Sequence, residues 1–145
     1  LASLGNRGLQ PMRRTAIMID APQGTDVSSW WFLNEAAERF YFKPDAGQIL
    51  ASLADETPSD PCDAQPEEID VATIAWRIEE ATTLNVTRIR RRWAGLRTFT
   101  PNRTPLFEFD AQAPGFFWLA GQGGYGIQTA PSIAKRAAQS ILAAL

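Results

Sequence analysis

Three glycines near the end of the chain have the spacing of a ligand-binding turn. In the stretch FFWLAGQGGYGIQTAPSIAKRAA (116–138), Gly121, Gly123 and Gly126 form the pattern G-x-G-x-x-G. Glycine lets the backbone adopt a positive φ and approach a ligand closely. A helix is predicted directly after these glycines, and its N-terminal amides present partial positive charge. The pattern therefore predicts an anion-binding turn, with a ligand-free β-to-α connection as the alternative.

The same pattern is typical of dinucleotide-binding folds, but the surrounding sequence argues against that interpretation. Such a fold has a second strand after the helix and, about twenty positions on, an acidic residue that binds the ribose. The sequence offers neither after Gly126, because the predicted helix continues to Leu145. A better candidate for the ligand of this turn is the negatively charged N1–C2=O2 edge of a reduced flavin, which the amides of the turn would stabilise.

The composition limits the chemistry that the side chains can perform. The 145 residues include no histidine and a single cysteine, Cys62, which lies in a polar loop. Ser-His-Asp catalysis, histidine-based metal sites and disulfides are therefore excluded, and Cys62 is interpreted as having no function. If this chain serves an enzyme, it leaves the difficult chemistry to a cofactor.

Size and charge are those of one ordinary compact domain. The 45% of hydrophobic residues suffice for a core, and the net charge of -2 gives no reason to expect nucleic acid or an acidic membrane surface as a partner. The arginines at 88 and 90–92 are interpreted as a solvated strand face. There is no apolar run long enough to span a bilayer and no secretory signal, so we expect a cytoplasmic protein. The start of the sequence indicates that it continues a longer chain.

Strands predominate among the predicted elements. Apolar alternation and turn residues predict strands at 13–20, 30–34, 40–43, 48–52, 86–100 with a bend at Gly95, 106–110 and 116–120, and a loop at 55–65. A strong turn, Lys43-Pro44-Asp45-Ala46-Gly47, joins the third strand to the fourth.

Two helices are predicted. The first runs from Pro66 to about residue 83. One face of it is formed by Ile69, Ala72, Trp76, Glu80 and Thr83, with Ala75 and Ile78 beside this face. The second is capped by Thr129, with Pro131 in its first turn. Its buried face is formed by Ile133, Ala137, Ile141 and Leu145.

Five segments, taken together, carry a family resemblance. They are GLQPMRR (8–14), FYFKPDAGQIL (40–50), EEIDVATIAWRIEEATTL (67–84), WAGLRTFTPN (93–102) and PGFFWLAGQGGYGIQTAP (114–131). In this order and spacing they resemble the D-amino-acid oxidase superfamily of FAD-dependent oxidoreductases, and within it most of all the D-arginine dehydrogenase branch. The combination of KPDAG, GLR and GGYGIQT is what makes the resemblance specific.

The resemblance implies an α+β fold. Residues 1–92 would contribute an antiparallel substrate-domain sheet with a flanking helix, and residues 93–145 the C-terminal strand-turn-helix of an FAD-binding domain. The chain would be the C-terminal part of a longer flavoenzyme, whose N-terminal FAD domain holds the ADP half of FAD. The implied reaction oxidises a D-amino acid to an imino acid and then a 2-oxo acid by hydride transfer to the flavin.

The resemblance also assigns site residues. Arg97, in GLR, is similar to the arginine that binds the substrate carboxylate, and Tyr41 to a tyrosine whose hydroxyl supports it. Arg14 is similar to an active-site arginine that contacts substrate or product, and Phe32 and Asn34 fall where members line the side-chain pocket. The residues similar to those at the flavin are Gly121, Gly123, Gly124, Tyr125, Gly126, Ile127 and Gln128, of which Gly124 and Gln128 also lie near the substrate amine.

Other interpretations remain open at this point. Arg97 could be a surface cation, Tyr41 could pack in a core, and Arg13 rather than Arg14 could point inward, since strand neighbours face opposite sides. The chain could instead be an autonomous non-catalytic binding module or an inactive fragment. We expect the isolated chain to lack FAD and activity, and its exposed apolar surface favours a homodimer.

Two stretches depart from the superfamily pattern. In TPNRTPLFE (100–108), Asn102-Arg103 and Phe107-Glu108 replace a Pro-Asp-Gly turn and a terminal glycine. Trp31 stands where relatives have a smaller residue or proline, which predicts a narrower or reshaped pocket. The preferred D-amino acid and the electron acceptor do not follow from the sequence.

Overall fold

A computed structural model of the chain describes residues 7–144 as a mixture of helices and strands. The strands are β1 (Gln10–Asp20), β2 (Leu33–Asn34), β3 (Tyr41–Asp45), β4 (Gln48–Ser52), β5 (Thr57–Pro58), β6 (Ile89–Phe99), β7 (Leu106–Phe109) and β8 (Phe117–Ala120). The helices are α1 (Glu68–Ala81) and α2 (Gly126–Leu142). The predicted α+β class is confirmed.

Six of these strands form one sheet and the other two form a hairpin. The sheet has the order β2-β3-β4-β1-β5, with β6 pairing with β1 off this path, and β7 pairs with β8. The predicted turn between β3 and β4 is a two-residue loop, in which Ala46 and Gly47 have φ of 50° and 76°. Asp45 and Gln48 pair across it in antiparallel register. Two positive φ values suit the right-handed twist of a hairpin.

Three strand predictions differ from the structure. Strand β2 begins only at Leu33, because the amide of Trp30 closes a turn by donating to the carbonyl of Val27 at 3.0 Å. The predicted loop contains the short strand β5. Strand β6 continues without interruption through Gly95, where a bend was predicted.

Packing divides the chain into two compact units. The first comprises residues 1–12, 58–60 and 97–145, and the second comprises residues 13–57 and 61–96. The core of the second unit lies between the sheet and α1, and it contains Ile17, Ile19, Val27, Phe40, Phe42, Ile49, Ala51, Val71, Ile74 and Ile78.

The buried face of α1 includes Ile78, which was predicted beside the helical face, but not Ile69 or Trp76 from the face itself. Val71, Ile74 and Ile78 face the core, whereas Ile69 and Trp76 are 68% and 54% exposed. Both sets recur at helical spacing, so periodicity alone could not choose between them. The sheet buries the β-branched set.

Helix α2 begins earlier than predicted. It starts at Gly126, so Thr129 lies within the helix and its hydroxyl donates to the carbonyl of Tyr125 at 2.8 Å instead of capping the helix. Pro131 is consequently inside the helix. Ala137 is buried as predicted and Ile141 is 38% exposed, while Leu145 lies outside the described residues.

The hairpin β7–β8, which leads into the glycine turn, is held by a buried carboxylate. Asp110 accepts hydrogen bonds from the indole N–H of Trp118 at 2.6 Å and from the amides of Gln112 and Ala113 at 2.7 and 3.1 Å. The Trp118 hydrogen bond, followed by that of Gln112, lowers the pKa of Asp110 below its ordinary value. The carboxylate form therefore fixes the end of the hairpin.

In the second unit, a polar network ties β1 to α1 and to the loop after β4. The buried amide of Thr15 donates to both carboxylate oxygens of Asp55, at 3.0 and 3.2 Å. The hydroxyl of Thr15 and the guanidinium of Arg13 both donate to Asp70 at 3.0 Å. Burial raises the pKa of Asp55, and the charge of Asp70 adds to this, against the hydrogen bond from Thr15.

Asp55 is expected to make folding stability depend on pH. Because its pKa is raised in the folded state, the folded chain holds a proton that the unfolded chain loses near pH 3.8. Stability should therefore fall as the pH rises from about that value through the folded pKa. Asp55→Asn should flatten this part of a plot of melting temperature against pH. The exposed Asp60→Asn serves as the control, and parallel curves for Asp55→Asn and the parent chain would contradict the assignment.

Candidate functional site

The glycine turn connects β8 to α2 within the first unit. Gly121 and Gly123 have φ of 73° and 55°, a region that side chains disfavour. The amide of Gly123 donates to the carbonyl of Thr98 in β6 at 2.9 Å. The turn therefore closes directly against the end of β6.

Contacts with β6 explain why two of these positions are glycine. A Cβ at Gly123 would lie 2.4 Å from a ring carbon of Phe99, and one at Gly121 would lie 2.8 Å from the methyl group of Thr100. Gly126 differs, because its φ is not positive and a Cβ there would meet the side chain of Gln122 at 3.4 Å. Gly121 and Gly123 are thus required by packing, whatever the turn binds.

The start of α2 presents unpaired donors. Tyr125 occupies the N-cap position, and no side chain caps the helix. Among residues 7–144, the backbone N–H groups of Gly124, Gly126, Ile127 and Gln128 have no hydrogen-bond partner. Free amides at a helix N-terminus attract negative charge. The turn can therefore hold an anionic edge of a ligand.

Arg97 lies in β6, close to this turn in the same unit. Its side chain is half-buried, and no acceptor within the described part of the chain pairs with its guanidinium. Alternate residues of a strand face the same side, so Arg97 shares the face of Phe99, whose ring lies against Gly123. A planar guanidinium in this position is available for two parallel bonds to a carboxylate.

In the second unit the structure brings Phe32, Asn34 and Tyr41 together. Tyr41 faces Asn34 across β3 and β2, and the ring of Phe32 lies 5.5 Å from that of Tyr41. Tyr41 is half-buried, and its hydroxyl has no hydrogen-bond partner within residues 7–144. Tyr41 is therefore not a residue of the core cluster that contains Phe40 and Phe42.

Arg14 is engaged by its own unit. Its guanidinium donates to the carbonyl groups of Ala54 and Asp55 at 2.9 and 3.0 Å and pairs with Glu56 at 3.3 Å. Arg13 pairs with Glu67 and Asp70, so both arginines are held by carboxylates. The contact between Arg14 and substrate stays a prediction.

A groove of about 620 Å³ runs along the edge strand β2 in the second unit. Trp30, Trp31, Phe32 and Leu33 line one part of it, and the segment 82–84 after α1 lines another. Asn34 also contributes, so two of the residues assigned to the side-chain pocket lie in this groove. A volume of this size is typical of a small-molecule site.

Sequence reasoning missed the residues that support the glycine turn. Phe99 and Thr100 are buried beneath Gly123 and Gly121, and the guanidinium of Arg103 lies 4.7 Å from the centre of the Phe99 ring. One signal in the sequence could have identified Phe99. It follows Arg97 by two residues in a predicted strand, so the two side chains face the same side. Nothing in the sequence indicates that Arg103 reaches this ring.

Two absences concern residues 7–144. Neither helix in this part combines the length and apolar composition that crossing a membrane demands. Nor does this part contain a group of three or more acidic or cysteine side chains placed to bind a metal ion.

One family of proteins matches nearly the whole chain. The family model described as DAO, FAD dependent oxidoreductase, matches residues 1–140.

Solved structures give the same fold at low identity. Glycine oxidase from Geobacillus kaustophilus is 20% identical with a TM-score of 0.77, and the match covers 92% of this chain and 35% of that one. Fructosamine oxidase (Amadoriase II) from Aspergillus fumigatus is 19% identical with a TM-score of 0.81, over 96% and 38%. L-proline dehydrogenase from P. horikoshii is 17% identical with a TM-score of 0.69, over 86% and 33%. The chain thus spans less than two-fifths of the length of these proteins.

Replacing Gly123 should disturb the turn. Gly123→Ala combines a disfavoured φ with a clash against Phe99, so we expect a loss of about 2–4 kcal/mol in unfolding free energy. Gly115→Ala is the matched control in the same unit, because Gly115 has φ of 82° but nothing lies near its Cβ position. Denaturant unfolding measures both variants. Equal losses of unfolding free energy in the two variants would show that the contact with Phe99 does not contribute to the effect.

Proposed function

The chain belongs to the DAO family of FAD dependent oxidoreductases, and on that premise we propose that it forms the C-terminal part of a longer flavoenzyme that oxidises D-amino acids. The α-carbon loses a hydride and the amine loses a proton, which together remove two electrons and give an imino acid; water converts this to a 2-oxo acid and ammonia. A bound flavin supplies the two-electron oxidation. The remaining work of binding and orienting falls to side chains and amides such as those described above.

The observation that carries this proposal is the unpaired guanidinium of Arg97. A half-buried arginine ordinarily finds an acceptor, and Arg97 has none among residues 7–144. A substrate carboxylate would accept two parallel hydrogen bonds from it and fix the orientation of the α-carbon. Arg97 is thus the proposed substrate anchor of the first unit.

The glycine turn is the proposed flavin contact. Its residues fit the negatively charged N1–C2=O2 edge, because the amides of Gly124, Gly126, Ile127 and Gln128 are free and the α2 N-terminus is positive. The residues proposed to hold the flavin are Gly121, Gly123, Gly124, Tyr125, Gly126, Ile127 and Gln128. Amides fixed before the reaction stabilise charge as it develops, with no cost of reorganisation.

Tyr41 is the proposed hydrogen-bond donor of the second unit. Its free hydroxyl can donate to a carboxylate oxygen, and the ring of Phe32 at 5.5 Å limits the movement of its own ring. No general base is needed for the proposed reaction if the amine binds in its neutral form. The chain accordingly contributes binding and electrostatics.

The rival hypotheses are an inactive fragment and an autonomous binding module, and the colour of the purified chain helps to test them. We expect the isolated chain to lack the visible absorbance of flavin, because the family's N-terminal FAD domain supplies the ADP site. Adding that domain to the chain should restore FAD binding, measured by absorbance after gel filtration. A mixture that remains colourless would argue for one of the rivals.

Arg97 gives the sharper test in the complete flavoenzyme. Arg97→Ala should raise KM and lower kcat/KM by about 100-fold or more, because a charge-paired bidentate contact is lost. Arg97→Lys should recover only a small part, since an ammonium group cannot form two parallel bonds. Arg91→Ala is the control, because Arg91 is an exposed arginine without a role in the site. Unchanged kcat/KM in Arg97→Ala would reject the anchor.

A further inference from the structure

The loop after β6 places an arginine on the ring that supports the glycine turn. The guanidinium carbon of Arg103 lies 4.7 Å from the centre of the Phe99 ring. A carbon of the same ring lies 2.4 Å from the position of a Cβ at Gly123, whose amide donates to the carbonyl of Thr98. All of these residues belong to the first unit. Arg103 and Gly123 therefore both lie against one ring.

The backbone of Arg103 adopts a conformation that disfavours its side chain. Its φ is 61°, in the left-handed region, which glycine enters freely and a residue with a Cβ enters at a cost. A costly conformation persists where the surrounding structure enforces it, and it points to a role for the residue. The contact of the Arg103 side chain with the buried ring of Phe99 supplies such a role.

Hydrogen bonds within the loop hold Arg103 over the ring. Its amide donates to the carbonyl of Thr100 at 3.0 Å. The hydroxyl of Thr100 donates to the carbonyl of Thr104 at 2.7 Å, and the amide of Thr104 donates to Oδ1 of Asn102 at 3.0 Å. The loop is thus closed on itself directly after Phe99. Because the backbone is already ordered, little conformational entropy is lost when the guanidinium contacts the ring.

From these contacts we propose that Arg103 is a positioning residue for the glycine turn, because its guanidinium holds the Phe99 ring against Gly123 through a cation–π contact. Holding the ring in place keeps the amide of Gly123 on its acceptor and limits the movement of the free amides that follow. The consequence for the flavin rests on the proposed function: the ordered amides and the charge of Arg103 would favour the reduced, anionic flavin.

Hydrogen exchange of the Gly123 amide, followed by NMR on the 145-residue chain, tests the positioning role. Arg103→Ala leaves a side chain at the disfavoured φ but removes the guanidinium. Exchange at Gly123 should then become about threefold faster, the effect expected from loss of an exposed cation–π contact. Arg103→Lys keeps the cation and should exchange at nearly the parent rate. A parent-like rate in Arg103→Ala, or equal rates in Arg103→Ala and Arg103→Lys, would overturn the proposal.

Two controls separate this effect from a general loss of stability. The amide of Asp110 forms a backbone hydrogen bond at 2.8 Å in the same unit, and its exchange should be unchanged in Arg103→Ala. Arg136→Ala removes another exposed arginine, which lies 5.3 Å from the centre of the Phe107 ring, and it should leave exchange at Gly123 unchanged. Equal acceleration at Asp110 and Gly123 would contradict a specific role for Arg103.

A double-mutant cycle tests whether the effect passes through Phe99. Phe99→Leu removes the aromatic face and keeps an apolar side chain. In that background Arg103→Ala should no longer change exchange at Gly123, since the two residues act as a pair. An undiminished effect would show that Arg103 acts by another route and would overturn the proposal. The comparison of Arg103→Lys with Arg103→Ala does not depend on how well Phe99→Leu folds.

The midpoint potential of the flavin in the complete flavoenzyme tests the link to the cofactor. Arg103→Ala should shift the balance toward the oxidised flavin about threefold, which lowers the potential of this two-electron couple by about 14 mV. Arg103→Lys should keep the potential of the parent. An unchanged potential in Arg103→Ala would reject the link to the flavin, even if exchange at Gly123 is faster. A complete protein that binds no flavin would instead contradict the proposed function, and the exchange measurements on the chain would be unaffected.

Discussion

The contact between Gly123 and the ring of Phe99 is the constraint on which the candidate flavin turn depends. The ring occupies the space that a Cβ would need, and the amide of Gly123 bonds to Thr98 beside it. This contact fixes the glycine turn against β6. Because alternate residues of a strand face the same side, β6 also sets the direction of Arg97, which precedes Phe99 by two residues. The amides of Gly124, Gly126, Ile127 and Gln128 follow directly after this contact and have no hydrogen-bond partner among residues 7–144. The packing of the turn and its proposed contact with the flavin therefore involve one small cluster.

The sequence was most informative where local chemistry decides the backbone. Strand β4 and the turn at Ala46-Gly47 lie where they were predicted, because positive φ and the end of a strand leave a clear signature. The start of α2 was predicted too late, because that prediction relied on a local capping signal. Thr129 is a good capping residue, but the helix already begins at Gly126 without a side-chain cap.

Tertiary packing decided what periodicity could not. In α1, Ile69 and Trp76 fit a helical face as well as Val71, Ile74 and Ile78 do, and the sheet selects the second set. The candidate site shows the same limit. The identity of Arg97 could be predicted from its motif, but its lack of an acceptor is a property of its neighbours. Likewise, the carbonyl groups that hold Arg14 leave no trace in the sequence, since every residue has one.

The groups proposed for the site also determine how the reaction should respond to pH. Backbone amides do not titrate, guanidinium groups keep their charge in proteins, and the groove walls contain no ionisable side chain. Asp55 and Asp110 are among the carboxyl groups with shifted pKa values, and both accept hydrogen bonds that stabilise the fold. The amides of the glycine turn and the guanidinium of Arg97 should therefore keep their charge as the pH changes. In such a site the protein acts by keeping its electrostatic field constant while the charge of the reacting groups changes.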